Sequence, residues 1–72
     1  MSYTFSAIVE KEGRWYVALC PELDVASQGQ TIERALKNLR EAVKLYIHSA
    51  SPSELRSALG SHPLITTLQV TA

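Results

Sequence analysis

The sequence predicts an α+β domain: a small sheet with one long amphipathic helix on one face and a short extra helix before the last strand. Two observations predict this class. Segments with strand-like patterns lie in the N-terminal part and at the C-terminal end of the chain. Between them, apolar residues recur at the i, i+3, i+4, i+7 spacing of a helix face. The 72 residues suffice for a single domain over positions 1–72.

The first two strands are predicted to form a hairpin. Residues Tyr3–Glu10 alternate between two faces and include β-branched and aromatic side chains, which is typical of a strand. Lys11–Arg14 is polar and contains Gly13, so it suits a turn. Trp15–Cys20 is apolar at every position and ends before Pro21, because proline cannot donate to a sheet ladder.

Both faces of this second strand are therefore apolar. A strand exposed to water on one face should alternate apolar with polar residues. The long helix can cover only one face, so the other face needs a second cover. Either the tail of the chain folds across it or a second protein chain does, and we favour the second chain because large apolar patches mark interaction sites.

The helices have clear start signals. After a short strand at Val25–Gln28, Thr31 is a good N-cap for the long helix. Its apolar stripe predicts about five turns and consists of Ile32, Ala35, Leu36, Leu39, Ala42, Val43, Tyr46 and Ile47. Ser51, with proline next and Glu54 three residues on, begins the short helix, which Gly60 ends. Residues 61–63 suit a turn, and the alternation over Leu64–Val70 predicts a last strand.

Composition excludes several classes of protein. Seven basic and seven acidic residues give zero net charge, which argues against bulk electrostatic binding of nucleic acid. One cysteine excludes an intramolecular disulfide. No membrane-length apolar run or signal peptide is visible, so we expect a cytoplasmic protein without membrane contact. The core of so short a chain seldom supplies more than about 3–5 kcal/mol of net stability. Association with another chain can add to that stability, so we expect a homo-oligomer, either a dimer or a tetramer.

No catalytic, metal or cofactor site is predicted. Cys20, His48 and His62 do not have the spacing of a zinc site, and Cys20 suits a small buried apolar residue. The N-terminal carboxylates are expected to be solvated surface charges: Glu10, Glu12, Glu22 and Asp24. No glycine-rich loop precedes a helix. We therefore expect no enzyme activity and no small-molecule ligand.

The segments Tyr16–Gly29 and Thr31–Val43 resemble the HicB-type antitoxin family. The matching features are a hairpin glycine before an aromatic pair, the Pro-Glu-Leu loop, the Ser-Gln-Gly segment and the helix opened by Thr31. The resemblance implies a partial ribonuclease H-like β-β-β-α-β fold, with three antiparallel strands and a fourth strand beside the first. It also implies that the chain binds and occludes a HicA-type toxin, a small mRNA-cleaving ribonuclease.

In that case the toxin contacts are expected in the hairpin, the following loop and the sheet face that the helix leaves open. The candidate binding residues are Trp15, Tyr16, Val17, Leu19, Pro21, Glu22, Leu23 and Asp24. Residues 1–24 carry four acids and two bases, a net charge of −2, which is either ordinary solvated charge or complementary to a basic partner.

The chain departs from the family in one respect. Many HicB-type proteins carry a C-terminal DNA-binding module, and residues 48–72 do not accommodate one beside a fourth strand, so no direct DNA binding is expected. An alternative function is a stand-alone homo-oligomeric HicB-fold protein without a toxin partner. A third, less favoured, is a divergent nuclease, whose RNA cleavage would depend on Asp24.

Overall fold

A computed structural model describes residues 3–60 and 63–72 of the chain. The elements in chain order are β1 (Ile8–Glu12), β2 (Trp15–Cys20), β3 (Val25–Gly29), α1 (Ile32–Ser49) and α2 (Pro52–Leu59). The strands form one antiparallel sheet in the order β1-β2-β3. The predicted α+β class and its β-β-β-α arrangement are confirmed. Neither helix of the described part of the chain combines the length and the apolar character that a membrane span requires.

The first strand begins at Ile8 instead of Tyr3. Ile8 pairs with Leu19, so the same register would put Ser6 opposite Pro21, which has no backbone N–H. The Ser6 N–H instead donates to Glu22 Oε2 at 2.8 Å. The proline that ends β2 therefore also ends the ladder with β1.

The hairpin turn is shorter than the sequence suggests. Glu12 still pairs with Trp15, which leaves only Gly13 and Arg14 in the turn. Gly13 has a φ of +60° and Arg14 has no positive φ, the pattern of a type II′ turn that suits the twist of two paired strands. Lys11 therefore belongs to β1, although the sequence places it in the turn.

Helix α1 approaches the sheet closely at Gly29, the last residue of β3. Thr31 Oγ1 caps the helix as predicted, accepting from the Arg34 N–H at 3.0 Å. A Cβ atom on Gly29 would lie 2.6 Å from the backbone nitrogen of Ala35. Only glycine permits this approach, and Ala18 and Ala35 are fully buried in the contact. The helix packs mainly on β3 and β2 and barely reaches β1.

The core is consequently small and off-centre. The buried apolar residues are Ala18, Cys20, Leu23, Ala35, Leu39 and Ala58. Of the predicted helix stripe only Ala35 and Leu39 are buried, whereas Leu36 is 37% and Ile32 45% exposed. The apolar stripe of α1 is wider than the part of the sheet that it covers. The helix lies over β3 and β2 and barely reaches β1, so the stripe is only partly buried on the β1 side.

Helix α2 is formed as predicted, but the last strand is not. Ser51 Oγ accepts from the Glu54 N–H at 3.2 Å. Leu64–Val70 belongs to no helix or strand, so the fourth strand beside the first is not formed in this chain. A strand needs a backbone partner, and the alternating pattern alone does not supply one. The predicted turn at 61–63 falls largely outside the described residues.

Replacing Gly29 by Ala should destabilise the fold by about 2–3 kcal/mol, since backbone atoms of α1 would have to move away from the new methyl group. Gly60→Ala is the control: its Cβ would meet nothing closer than 3.3 Å, and we expect a change below about 1 kcal/mol. Urea unfolding followed by circular dichroism measures both. Equal effects would show that the close approach at Gly29 is not needed.

Candidate protein-binding surface

The sheet has two faces with different surroundings. Ala18 and Cys20 in β2 point toward α1 and are fully buried. Because successive side chains alternate along a strand, Trp15, Val17 and Leu19 point to the opposite side. We call that side the open face; it consists of Ile8, Glu10, Glu12, Trp15, Val17, Leu19, Ala26 and Gln28.

Trp15 is the most prominent residue of the open face. It follows the hairpin turn directly and is 43% exposed. Glu12 is its partner across the ladder, and Glu10 is the partner of Val17, so both exposed carboxylates share the face with the indole ring. The tip of the hairpin thus presents an aromatic side chain beside two acidic groups.

Other candidate binding residues are not part of the open face. Tyr16 lies on the α1 side of the sheet, where the Lys11 Nζ atom is 6.0 Å from the centre of its ring. Leu23 is only 7% exposed and belongs to the core. The structure therefore brings Trp15, Val17 and Leu19 together and separates them from Tyr16 and Leu23.

The loop after β2 is organised by Glu22. Its Oε2 accepts from the Ser6 N–H at 2.8 Å, and its Oε1 lies 3.6 Å from the Cys20 Sγ, which donates. Burial opposes ionisation of Glu22, but the hydrogen bond from Ser6 and the others to this carboxylate outweigh it, so the pKa of Glu22 is lowered. Its carboxylate is occupied inside the protein, and Pro21 beside it is half-buried.

Asp24 ends this loop in an unusual backbone conformation. Its φ of +53° lies in the left-handed region, which aspartate tolerates better than most residues. The side chain is exposed, so Asp24 is the loop residue best placed to meet a partner.

The described residues contain no group of three or more His, Cys, Asp and Glu side chains that could hold a metal ion. Cys20 is buried, and burial first, with the neighbouring Glu22 charge, raises the pKa of its thiol. His48 is exposed near the end of α1, and His62 falls outside the described residues. The four N-terminal carboxylates are spread over the open face, which holds Glu10 and Glu12, and the loop, which holds Glu22 and Asp24.

An apolar groove that the sequence patterns do not single out lies beside α1. One wall is formed by Tyr3 and Phe5, the other by α1, and the groove has a volume of about 570 Å³. We call it the α1 groove; its apolar helix residues are Leu36, Leu39, Val43 and Ile47. The signal was present in the sequence, since eight apolar positions make a broad stripe for so small a sheet.

Fold and surface together define a small α+β domain with an open, partly apolar sheet face. No protein-family model matches the chain. It is 32% identical to a UPF0150 protein of Helicobacter pylori over 66 residues, which cover 90% of this chain and 92% of that protein. A UPF0150 protein of Synechocystis sp. is 45% identical over 49 residues, which cover 65% of this chain and 62% of that protein. The chain belongs to the UPF0150 family.

The lowered pKa of Glu22 predicts a pH dependence of stability. The stabilisation is present at pH values above the unfolded-state pKa and is lost as the pH falls through the lower folded-state pKa. We expect Glu22→Gln to cost about 1–2 kcal/mol at neutral pH and to flatten the loss of stability in acid. Thermal unfolding between neutral and acidic pH measures it, with exposed Glu12→Gln as the control. Parallel pH profiles for Glu22→Gln and the unsubstituted protein would contradict this role.

Proposed function

We propose that this protein is a HicB-like antitoxin: it binds a HicA-type, mRNA-cleaving toxin, occludes its active site and performs no catalysis itself. The observation that carries the proposal is the exposed Trp15 on the open face, with Glu12 opposite it on β1 and Glu10 one pair further along the same face. The resemblance of Tyr16–Gly29 and Thr31–Val43 to HicB-type antitoxins supports it. The names of the UPF0150 relatives state neither an activity nor a partner.

The chemistry of the open face suits such a partner. A ribonuclease that holds mRNA must offer positive charge to the phosphates. Carboxylates at positions 10 and 12 can meet that charge, which speeds association and orients the two proteins. Trp15 supplies the apolar anchor, since tryptophan is enriched among the residues that dominate interface energetics.

The position of Trp15 on the fold also suits occlusion. The hairpin turns within two residues, so the aromatic ring lies at the end of the sheet beside the turn. Val17 and Leu19 continue the apolar surface along the same face. The exposed Asp24 extends the acidic character to the loop at the opposite end of β2.

A second candidate function is a stand-alone homo-oligomeric HicB-fold binding protein without a toxin partner. Exposed apolar side chains in the C-terminal segment favour self-association: Leu64, Ile65, Leu68 and Val70. The two functions differ in the partner they require. A neighbouring gene for a small basic protein, and relief of that protein's toxicity on co-expression, would separate them, because only an antitoxin requires both.

Replacing Trp15 by Ala should weaken binding to that neighbouring basic protein, purified as a catalytically inactive variant, by about 30-fold or more. Isothermal titration calorimetry measures the affinity, and protection of an mRNA substrate measures inhibition. Lys37→Ala on the exposed side of α1 is the control and should bind like the unsubstituted protein. Thermal unfolding of each variant verifies that the fold is retained.

Unchanged affinity in Trp15→Ala, with the fold intact, would contradict the assignment of the open face. Failure of the neighbouring protein to bind, or binding without suppression of its RNA cleavage, would contradict the antitoxin function. A self-contained oligomer that is indifferent to the neighbour would instead support the stand-alone function.

A further inference from the structure

We propose that residues 64–70 of one chain add as a fourth strand to the free β1 edge of a second copy, and that the exchange is reciprocal. The result is a two-fold symmetric dimer in which each three-stranded sheet gains a strand from its partner. This inference concerns only copies of this chain and does not depend on the proposed antitoxin function.

The two edges of the sheet are unequal. Strand β1 is an edge strand, and its outer backbone groups can pair with a further strand. At the other edge, the Asn38 Nδ2 donates to the Gln28 carbonyl oxygen at 2.8 Å, so α1 already engages β3. The last three residues of β1, which follow Ile8 and Val9, are all charged, and charged side chains discourage pairing with a further strand. The accepting edge is therefore the start of β1 together with residues 3–7.

The α1 groove lies beside this edge. Tyr3 and Phe5 line it from the N-terminal segment, and Leu36, Val43 and Ile47 line it from the helix. Helix α1 barely reaches β1, so its apolar stripe on that side has no strand beneath it. A strand added at this edge would place one row of its side chains in the groove.

The C-terminal segment has the side chains that such a position requires. Leu64, Thr66, Leu68 and Val70 fall on one side of an extended chain, opposite Ile65, Thr67 and Gln69. Leu64 is 88%, Leu68 83% and Val70 76% exposed. Moving these exposed apolar side chains out of water and into an apolar groove lowers the free energy of the system. The segment and the groove thus complement each other.

The sequence predicts two strand segments, residues 3–7 and 64–70, that the single chain does not form as strands. Pairing of these two segments with each other, between two chains, would account for both. Residues 3–7 and 64–70 have strand patterns, yet neither belongs to a strand. Pro21 prevents the first from pairing with β2, but its other edge can still pair with the C-terminal segment of a second chain. Both would then form a ladder together.

The shape of the single chain favours a second copy as the donor. Its radius of gyration is 13.8 Å, compared with about 11 Å for a compact chain of this length. The chain is therefore extended, and its C-terminal side chains stay exposed instead of returning to β1. A second copy supplies both a matching segment and a matching edge, which is the condition for a closed two-fold interface.

Cross-linking between different variants tests the exchange. An Ala7→Cys chain and a differently sized Thr66→Cys chain are refolded together and treated with a short bismaleimide. We expect a cross-linked pair containing one chain of each kind. The unsubstituted protein, whose Cys20 is buried, is the control and should not cross-link. In the double variant Ala7→Cys/Thr66→Cys, links between chains support the proposal, and links only within one chain overturn it.

Two neighbouring substitutions test the orientation of the added strand. Leu68→Lys puts a positive charge into the α1 groove, which Arg40 and Lys44 also line, and should raise the dimer dissociation constant by at least about 30-fold. Gln69→Lys adds the same charge on the other side of the segment and should leave the dimer intact. Sedimentation equilibrium over a range of concentrations measures both, with circular dichroism as the check on folding.

A monomeric unsubstituted protein at all concentrations would overturn the proposal, as would a dimer that Leu68→Lys does not weaken. Because these measurements contain no toxin and do not touch Trp15, their failure leaves the proposed function standing. Conversely, a protein that exchanges strands and ignores the neighbouring basic protein would retain the dimer and lose the antitoxin function.

Discussion

The close approach of α1 to β3 at Gly29 determines how the rest of the molecule is arranged. A methyl group there would overlap the backbone of the first helical turn. Because Gly29 has no side chain, the helix packs closely on β3 and β2, and the small residues Ala18 and Ala35 are buried between the helix and the sheet. A helix placed over that side of the sheet cannot also cover β1. The α1 groove and the accessible β1 edge are both consequences of this one packing contact.

The surfaces left uncovered have different chemical characters and are formed by different residues. The open face combines Trp15 with the carboxylates of Glu10 and Glu12, which suits a partner carrying positive charge. The α1 groove is lined mainly by aliphatic and aromatic side chains and suits an apolar strand. Because the groove lies beside the helix and Trp15 on the other side of the sheet, one chain can engage a copy of itself without giving up the open face.

The loop from Pro21 to Asp24 joins β2 to β3. Pro21 ends the β1–β2 ladder, and Glu22 then receives the Ser6 N–H that the ladder leaves without a strand partner. Leu23 anchors the loop in the core, while Asp24 turns the chain back into β3 with a positive φ. A segment that the sequence marks as a binding loop thus has mostly structural residues, with Asp24 as its exposed exception.

Features that are satisfied within a few residues of chain can be predicted from the sequence. The Thr31 and Ser51 caps and the stop at Pro21 occur as predicted, and the hairpin turns at Gly13 although its turn is shorter than predicted. Each of these features depends on hydrogen bonds or steric limits close by in the chain. The tertiary structure was needed to show that Gly29 controls the helix approach, that α1 covers the face of Tyr16 and leaves the face of Trp15 open, and that the C-terminal segment finds no strand partner within its own chain. Those outcomes depend on residues distant in sequence, and an alternating pattern cannot form a ladder until a second backbone lies beside it.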